Sequence, residues 1–434
     1  MTSHASLDTI ISLCKRRGFV YQTAEIYGGL NGVYDFGPMG VLLNNNIKSL
    51  WINSLHLVSP DILMLDGALL GPHALWKASG HIDNFTDPMV DCLICKHRFR
   101  ADEIDVSASC SHCGNTKWSA VRQFNLMFKT HAGATIEKAA EAYLRPESAQ
   151  SIFVNFKNII TTNRIKIPFG VAQIGKAFRN EITPKQFLFR VREFEQMELE
   201  WFCQKESALK FFEEWRAARY QFFAMCGINS ENLRFHEHSN EERAHYALKT
   251  TDIEYQFPFG WKELEGISYR GDYDLRQHSD YSGKELTVYN ETTKKSYIPH
   301  VVECSLGIGR CCLALLCNAY AEEQVEGESR IVLRFNPKIA PIKAAFLPLM
   351  KKLSEPMHTL YHTMKCKGYS VQFDDSGSIG KRYRRQDEIG TPLCITFDFE
   401  SLKDNCVTVR DRDTMQQERI NINMVEKYIV NLLS

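Results

Sequence analysis

The stretch that decides the fold is residues 175–201, GKAFRNEITPKQFLFRVREFEQMELEW. Two runs of strand character flank a loop that contains Pro184. Side chains on a strand alternate between faces. Alternation puts Arg179 and Glu181 on one face and Phe178 on the other. On the returning run Phe194, Gln196 and Glu198 share a face, while Met197, Leu199 and Trp201 take the opposite, core-like face. One side of the predicted hairpin thus offers arginine, carboxylates and an aromatic ring. A guanidinium fork grips phosphate and a phenyl face stacks on a base. A lone R-x-E reads as a solvated hairpin, but the whole ordered string reads as a nucleotide site.

Just upstream, residues 170–176 (GVAQIGK) match most of the phosphate-binding loop G-x-x-x-x-G-K-[ST]. Ala177 lacks the hydroxyl that would hold magnesium, and the segment leads into a strand where that motif needs a helix, so the match is rejected. Downstream, residues 301–312 (VVECSLGIGRCC) form a second string. Glu303 and Ser305 share a strand face, two glycines turn the chain, and Arg310 opens a helix whose N-terminus favours anions. Alone this G-x-G-R is weak. Its weight comes from following the first string at domain-scale separation.

Further outward, residues 27–40 (YGGLNGVYDFGPMG) are glycine-rich, and 41–57 follow with helical spacing. Residues 61–70 read as a strand, 137–156 as a helix broken at Pro146, 170–202 as two strands around a loop, and 207–226 as an amphipathic helix. Residues 296–305 read as a strand that turns into a helix over 310–321. The polar run 321–330 (AEEQVEGESR) predicts a domain boundary. Beyond it, strands at 340–349, 369–373, 393–399 and 405–410 alternate with helices at 350–367, 378–389 and 424–433, as in a small α/β unit.

The chain has 434 residues, room for two to four domains. Its 52 basic and 52 acidic side chains cancel, and 44% hydrophobic with 24% charged residues is an ordinary globular composition. That excludes a disordered tail, a collagen and a disulfide miniprotein, and it disfavours a uniformly basic nucleic-acid coat. Residues 331–434 carry 16 basic and 12 acidic side chains, a net of +4, which leaves −4 for the rest. No apolar run reaches the roughly 20 residues of a membrane helix, so no membrane partner is expected. The first 20 residues show no signal-peptide pattern, which predicts mature sequence.

Fourteen cysteines are many for a cytosolic chain and too few for a disulfide scaffold. Four form two pairs, Cys92-x-x-Cys95 and Cys110-x-x-Cys113, with 14 residues between them. This is one residue short of a common zinc spacing, and two such turns present four thiolates tetrahedrally. Structural zinc is the preferred reading, with unmetalled cysteines or a redox pair as alternatives, and the setting is expected to be reducing and cytoplasmic. His97 and His112 are spare ligands. His236, His238 and His245, set among Glu237, Glu241 and Glu242, read as a solvated loop face in preference to a metal site.

The first string resembles motif 2 of the class II aminoacyl-tRNA synthetases and the second resembles motif 3, while Gly37-Pro38-Met39-Gly40 and the helix after it resemble motif 1, the dimer-forming element. More narrowly, the chain resembles the homodimeric glycyl-tRNA synthetase family. The strings IYGGLNGVYDFGPMG, LWKASGHIDNF, RQFNLMFKT, LRPESAQ, QIGKAFRNE, FRVREFEQMELEWF, TTDIEYQFPFGWKELEGI, ECSLGIGR and GKRYRRQDEIGTPLCITFD run in family order over nearly the whole chain. The resemblance implies an α+β fold. Residues 1–329 would be a class II antiparallel-sheet catalytic domain with a four-cysteine zinc-knuckle insertion at 91–118, and 330–434 an α/β anticodon-binding domain. The implied activity is that of a glycine–tRNA ligase: ATP-dependent formation of glycyl-adenylate, then transfer to the 3′-terminal adenosine of tRNA(Gly).

The same resemblance implies roles for residues. Arg179, Glu181 and Arg310 would be catalytic, with Arg179 on the α-phosphate, Arg310 on the γ-phosphate, and Glu181 facing the adenine or the tRNA terminus. The ATP site would extend over Asn180, Phe189, Arg190, Val191, Arg192, Glu193 and Phe194, with Phe194 stacked on adenine. It would include Glu263, a magnesium ligand, beside Leu264, and then Gly307, Ile308 and Gly309. The glycine pocket would draw on Arg100, Glu147, Phe194, Glu195, Gln196, Met197, Glu198, Glu303, Cys304, Ser305, Leu306 and Gly307. Carboxylates attract the glycine ammonium, and a filled pocket rejects larger side chains. Cofactors would be ATP, Mg2+ with ATP, and structural Zn2+.

Two positions depart from the family pattern, Cys304 where proline is usual and Gly309 where many bacterial members have aspartate. Cys304 lies on the face opposite Glu303 and Ser305, so the change is expected to touch packing more than catalysis. Lys381, Arg382, Arg384 and Arg385 on one short helix, in a unit resembling an anticodon-binding domain, read as an RNA-facing patch. Two rival readings are another class II synthetase (prolyl, threonyl or histidyl) and a non-catalytic nucleic-acid-binding paralogue like the accessory subunits of mitochondrial DNA polymerase. The glycine-type strings disfavour the first, and the presence of Arg179, Glu181, Arg310, Glu147 and Glu303 disfavours the second.

Overall fold

The computed structural model describes residues 5–133, 141–244, 246–325 and 327–433. Helix α1 (Leu7–Arg17) starts at Ser6, which accepts from the Thr9 amide, and ends at Gly18 with φ 73°. Helix α2 (Pro38–Val58) is the helix expected from spacing. It begins with proline in its first turn, where the missing amide costs nothing. It buries Leu43, Ile47, Trp51 and Leu55.

Strand β1 (Ile62–Leu65) follows. Three short strands, β2 (Thr86–Asp91), β3 (Arg98–Arg100) and β4 (Arg122–Asn125), then form a small sheet in the order β3-β2-β4. The helix expected over 137–156 is corrected in part. Residues 137–140 lie outside the described residues, β5 (Glu141–Leu144) is a strand, and helix α3 (Ala149–Asn163) starts only after Pro146. Proline lacks a helical donor and disfavours helix at the residue before it. The residues ahead of Pro146 instead pair with Leu70–Pro72 and Lys129–His131 on either side.

Strands β6 (Phe169–Phe178) and β7 (Glu193–Cys203) are the predicted hairpin, paired from Phe169↔Phe202 to Phe178↔Glu193. The rejected phosphate-loop match lies wholly within β6. Arg179, Asn180 and Glu181 fall just past the strand end, in the connecting loop. Helix α4 (Ala208–Met225), strands β8 (Leu233–Glu237), β9 (Lys249–Phe257) and β10 (Gly260–Gly271), helix α5 (Tyr273–Ser282), strand β11 (His300–Gly307) and helix α6 (Ile308–Ala319) complete this part.

Seven strands form one sheet in the order β8-β9-β10-β11-β7-β6-β1, antiparallel except for the β6–β1 pair. One face packs on α2, α4 and α6 through Trp51, Met197, Leu199, Trp201, Trp215, Cys304 and Leu306. The opposite face packs on α3 and α5 at one end, through Phe153, Phe156, Phe169, Val171, Phe202 and Leu275, and carries polar residues over the rest.

The polar run expected as a linker is a β-hairpin, β12 (Tyr320–Val325) with β13 (Glu328–Leu333). Its charge is satisfied internally: Arg330 is buried and pairs with Glu323 and, at 2.8 Å, with Asp387. The apolar cluster of the first part continues through Phe335, Ile339, Ala340 and Ile342. The last part has a five-stranded sheet built from β14 (Ala344–Pro348), β15 (Val371–Phe373), β16 (Leu393–Phe397), β17 (Cys406–Asp411) and β18 (Gln417–Asn421), in the order β15-β14-β16-β17-β18. Helices α7 (Ser354–Cys366), α8 (Ile379–Ile389) and α9 (Val425–Leu433) pack around it. It has its own core, including Phe346, Met357, Ile395, Val409 and Ile429.

The predicted RNA-facing patch on α8 is corrected in part. Arg382 is 2% exposed and donates to the Pro348 and Gly377 carbonyls. Arg385 donates to Asp374, and Arg384 lies 3.5 Å from Asp387. Of the four basic residues, only Lys381 points freely to solvent. The helix packs on the sheet through Ile379 and Tyr383, so basic residues on that side must satisfy their charges inside.

Candidate active site

The open face of the sheet arranges the candidate residues in rows. Gly175, Gln196 and Gly307 lie across one row, Gln173, Glu198, Ser305 and Gly266 across the next, and Val171, Glu200, Glu303 and Ser268 across the third. Gly175 is required here. A Cβ at 175 would sit 2.2 Å from Nη2 of the buried Arg145, which crosses it to donate to the Lys176 and Gly67 carbonyls.

Above these rows a cleft is lined by Arg179, Glu181, Phe189, Arg190, Val191, Phe194, Gln196, Glu263, Ser305, Gly307, Gly309 and Arg310. Arg179 donates to the Pro146 carbonyl at 3.1 Å and lies 5.3 Å from both the Phe85 and Phe194 rings. Arg310, in the first turn of α6, lies over the Phe189 ring, donates to the Phe189 carbonyl, and pairs with Glu263 at 2.9 Å. Burial would raise the Glu263 carboxyl, but Arg310 and then Arg179 outweigh it and hold it below the usual range. Burial raises Glu181, with Arg190 and Arg179 opposing. Two guanidiniums thus flank a floor that ends at a helix N-terminus, a setting for polyphosphate.

An inner pocket opens from the same cleft, lined by Glu147, Arg179, Gln196, Glu198, His238, Tyr246, Asp252, Glu303 and Ser305 among others. Ser148 donates to Glu198 Oε2 through its amide (3.0 Å) and hydroxyl (2.5 Å), and Gln196 and Ser305 donate to Oε1 (2.9 and 3.0 Å). Glu147 sits 3.3 Å from His81 Nε2 and accepts from Gln150. Arg270 grips Asp274 with two bonds of 2.8 Å and also pairs with Glu303.

The charge balance of this pocket is its main property. Five buried carboxyl groups, on Glu147, Glu198, Glu200, Asp274 and Glu303, surround the guanidinium of Arg270. Burial raises Glu303 to about 7 against the pull of Arg270, and burial followed by Glu147 raises Glu198. Glu147 is held low: burial opposes this, but His81 and Arg270 prevail. Such a pocket is short of positive charge, so a bound ammonium group is favoured.

Comparison with known proteins decides the family. Residues 128–319 match the family described as tRNA synthetase class II core domain (G, H, P, S and T), and residues 341–432 match that described as anticodon binding domain. The glycine–tRNA ligases of Caldanaerobacter subterraneus subsp. tengcongensis and Clostridium acetobutylicum are each 49% identical, over 99% of this chain and 99% of their own lengths. That of Acetivibrio thermocellus is 49% identical over 98% of this chain and 97% of its own length. The chain belongs to the glycine–tRNA ligase family.

Not every residue that the family resemblance pointed to faces the cleft. The side chains of Met197, Leu264, Cys304, Leu306 and Ile308 are in the core on the far face of the sheet or under α6. Glu193 pairs with Lys176, Glu195 with Lys48, and Arg192 donates to the Glu181 and Asn31 carbonyls. Asn180 donates its amide to the Leu126 carbonyl. Arg100 is tied to Asp87 and Asp102 outside the cleft lining.

The reading of the sequence missed Arg270, Asp274, Gln150, His81, Tyr246 and Asp252. The available signal for Arg270 was a lone charge in the last half of β10, after Gly266, Ile267, Ser268 and Tyr269. His238, read as solvated, is corrected: it bonds Asp252 at 2.8 Å in the wall of the inner pocket. His236 lies half-exposed on β8, and His245 lies outside the described residues.

In this member of the glycine–tRNA ligase family the two cysteine pairs form matching turns. Lys96 donates to the Cys92 carbonyl and Gly114 to the Cys110 carbonyl, while the Cys92 and Cys110 amides donate to His97 and Asn115. The Sγ atoms of Cys92 and Cys113 are 3.6 Å apart, those of Cys95 and Cys110 3.8 Å, and all four lie within 4.8 Å of one another. A tetrahedral Zn–S site with bonds of about 2.3 Å has edges of about 3.8 Å. The donor set therefore fits zinc. Past the first turn, Glu103 reaches back to the cleft loop, pairing with Lys185 (2.8 Å) and Arg190 (2.9 Å).

Proposed function

We propose that the chain activates glycine with ATP to glycyl-adenylate and passes the glycyl group to the 3′-terminal adenosine of tRNA(Gly). The observation that carries this reading is the anionic inner pocket opening onto a cleft flanked by Arg179 and Arg310. The carboxylates of Glu147, Glu198 and Glu303 hold the substrate ammonium and leave its carboxylate facing the cleft. Arg179 takes the α-phosphate under attack, Arg310 takes the γ-phosphate, and Phe194 stacks on the base. Attack on phosphorus in line with the leaving pyrophosphate gains most from positioning and charge stabilisation. Gln196, Glu198 and Ser305 form the floor of this pocket.

Glu263 would hold magnesium, which neutralises phosphate charge when bound with ATP. Cys92, Cys95, Cys110 and Cys113 would hold a structural zinc that pins the inset. The proposed division is a catalytic unit over 1–329 with the inset at 91–118, and an anticodon-binding unit over 330–434, joined by the β12–β13 hairpin. Homodimerisation is supported by an exposed apolar segment ahead of α2, where Ile26 is 87% and Tyr27 86% exposed. Among the described residues no helix is long and apolar enough to cross a membrane, and the abundant unpaired thiols suit a cytoplasmic setting. Charging of a tRNA pool with each standard amino acid in turn tests the reading. Glycine alone should be esterified, and charging with another amino acid but not glycine would overturn it.

A further inference from the structure

Glu200 is the least satisfied polar group beside the pocket. Its residue is 0% exposed, and among the described residues neither carboxylate oxygen has a hydrogen-bond partner. It lies on β7 two residues beyond Glu198, on the same face, and stands directly opposite Glu303 across the β7–β11 ladder. Its other neighbour in the row is Val171 on β6, which offers no charge. The charged groups around it are Glu303, Glu198 and Asp274, all acidic, and Arg270, whose donors are committed to Asp274 and Glu303.

A carboxylate cannot be kept in such a place as an anion. Burial without a partner disfavours the charged form strongly, and a facing carboxylate adds repulsion. Both effects push Glu200 well above the usual carboxylate range, burial first and Glu303 second. A retained proton turns the group from an acceptor into a hydroxyl donor. The acceptor that stands opposite it in the row is Glu303, whose Oε2 pairs with Arg270.

We propose that Glu200 is a positioning residue: a carboxylic acid with its proton retained, lying beneath Glu303 and fixing that carboxylate in the amino-acid pocket. The inference rests on the glycine-pocket reading for its kinetic consequence, but the state of the acid group is independent of that reading. Glu200 touches no substrate and lines no part of the cavity. Its role is to hold one oxygen of Glu303 so that the other meets the ammonium group, and to do so without adding a fourth negative charge to Glu147, Glu198 and Glu303. Glutamine has nearly the same shape, is neutral and can donate. Leucine is neutral and cannot.

The test has two arms. Infrared difference spectra of the whole enzyme at pH 7, wild type against Glu200→Gln, should show a protonated carboxyl band in the wild type that the variant lacks. In glycine-dependent ATP–pyrophosphate exchange, Glu200→Gln should keep the glycine KM within about twofold, while Glu200→Leu should raise it about tenfold, as for the loss of a hydrogen bond to a charged group. The ATP KM should stay unchanged in both. Absence of the band in the wild type would overturn the proposal whatever the enzyme's substrate. An unchanged glycine KM in a folded Glu200→Leu protein, or equal losses for glutamine and leucine, would also overturn it. If Glu200→Leu does not fold, the infrared arm and Glu200→Gln still decide.

Discussion

Arg310 Nη1 lies 2.9 Å from Glu263 Oε2, so the guanidinium assigned to the γ-phosphate is closed onto the carboxylate assigned to its magnesium. The pair holds both groups in place, and under the proposed roles a triphosphate and its metal would part it on binding. Arg310→Ala should lower exchange activity by about 100-fold or more, the scale for removing one preorganised donor of transition-state charge. Glu263→Gln should shift the magnesium concentration for half-maximal rate upward, measured by titrating the metal at fixed ATP. An unchanged magnesium profile would detach Glu263 from the metal.

Glu303 gives the pocket a pH dependence. Its folded pKa, about 7, is above the ordinary glutamate value because burial outweighs Arg270. Below that pH the group is neutral and offers less attraction to an ammonium. The glycine kcat/KM should therefore rise with pH through about 7 and then level. The sign for stability is opposite. A raised acid favours the folded state while it is protonated, so this contribution fades as pH rises from the ordinary glutamate range through about 7. Glu303→Gln should flatten the glycine limb of the profile, and an unaltered limb would assign the titration elsewhere.

Metal loss should reach the nucleotide through Glu103. The first cysteine turn closes the β2–β3 hairpin, and Glu103 follows β3 to clasp Lys185 and Arg190 in the cleft loop. Purified protein should hold about one zinc per chain, and Cys110→Ala should lose it. These ion pairs are partly exposed, so the effect is modest: the ATP KM should rise a few-fold, with the glycine KM unmoved. Glu103→Ala should reproduce that rise while keeping the zinc, which metal analysis can separate.

The large sheet and its working face could be read from residues 175–201 because the period of two is unmasked there: Phe194, Gln196 and Glu198 face one way, and Met197, Leu199 and Trp201 the other. Pairing across strands could not be read. Arg270 meets Glu303 and Asp274 only through the β10–β11 register and the turn into α5. For the same reason, Glu200 reads in sequence as one more outward carboxylate of an alternating acidic run. The β12–β13 hairpin was hidden because residues 321–330 are polar and held by ion pairs such as Arg330–Glu323, while the apolar residues that pack on the core, Tyr320, Ile331 and Leu333, lie only at its base. On α8, basic charge in a unit resembling an anticodon-binding domain suggested RNA, whereas the backbone carbonyls around Gly377 and Pro348 take Arg382.

Asp387 ties the β12–β13 hairpin to the last sheet. It is fully buried and receives Arg330 at 2.8 Å and Arg410 at 3.0 Å. Asp387→Asn leaves two buried guanidiniums short of a counter-charge, a change costing about 3–5 kcal/mol. Denaturant unfolding should show the loss. Aminoacylation should fall more than pyrophosphate exchange, because exchange needs only the first part. Equal falls in both would contradict this division of labour.

The central claim is that the carboxylate pocket and the two flanking arginines activate glycine. Amino-acid-dependent ATP–pyrophosphate exchange by the whole protein tests it most directly. The account predicts exchange with glycine, little with alanine, and loss of the glycine signal in a folded Arg179→Ala variant. Exchange driven by another amino acid but not glycine, or near-wild-type exchange in Arg179→Ala, would contradict it.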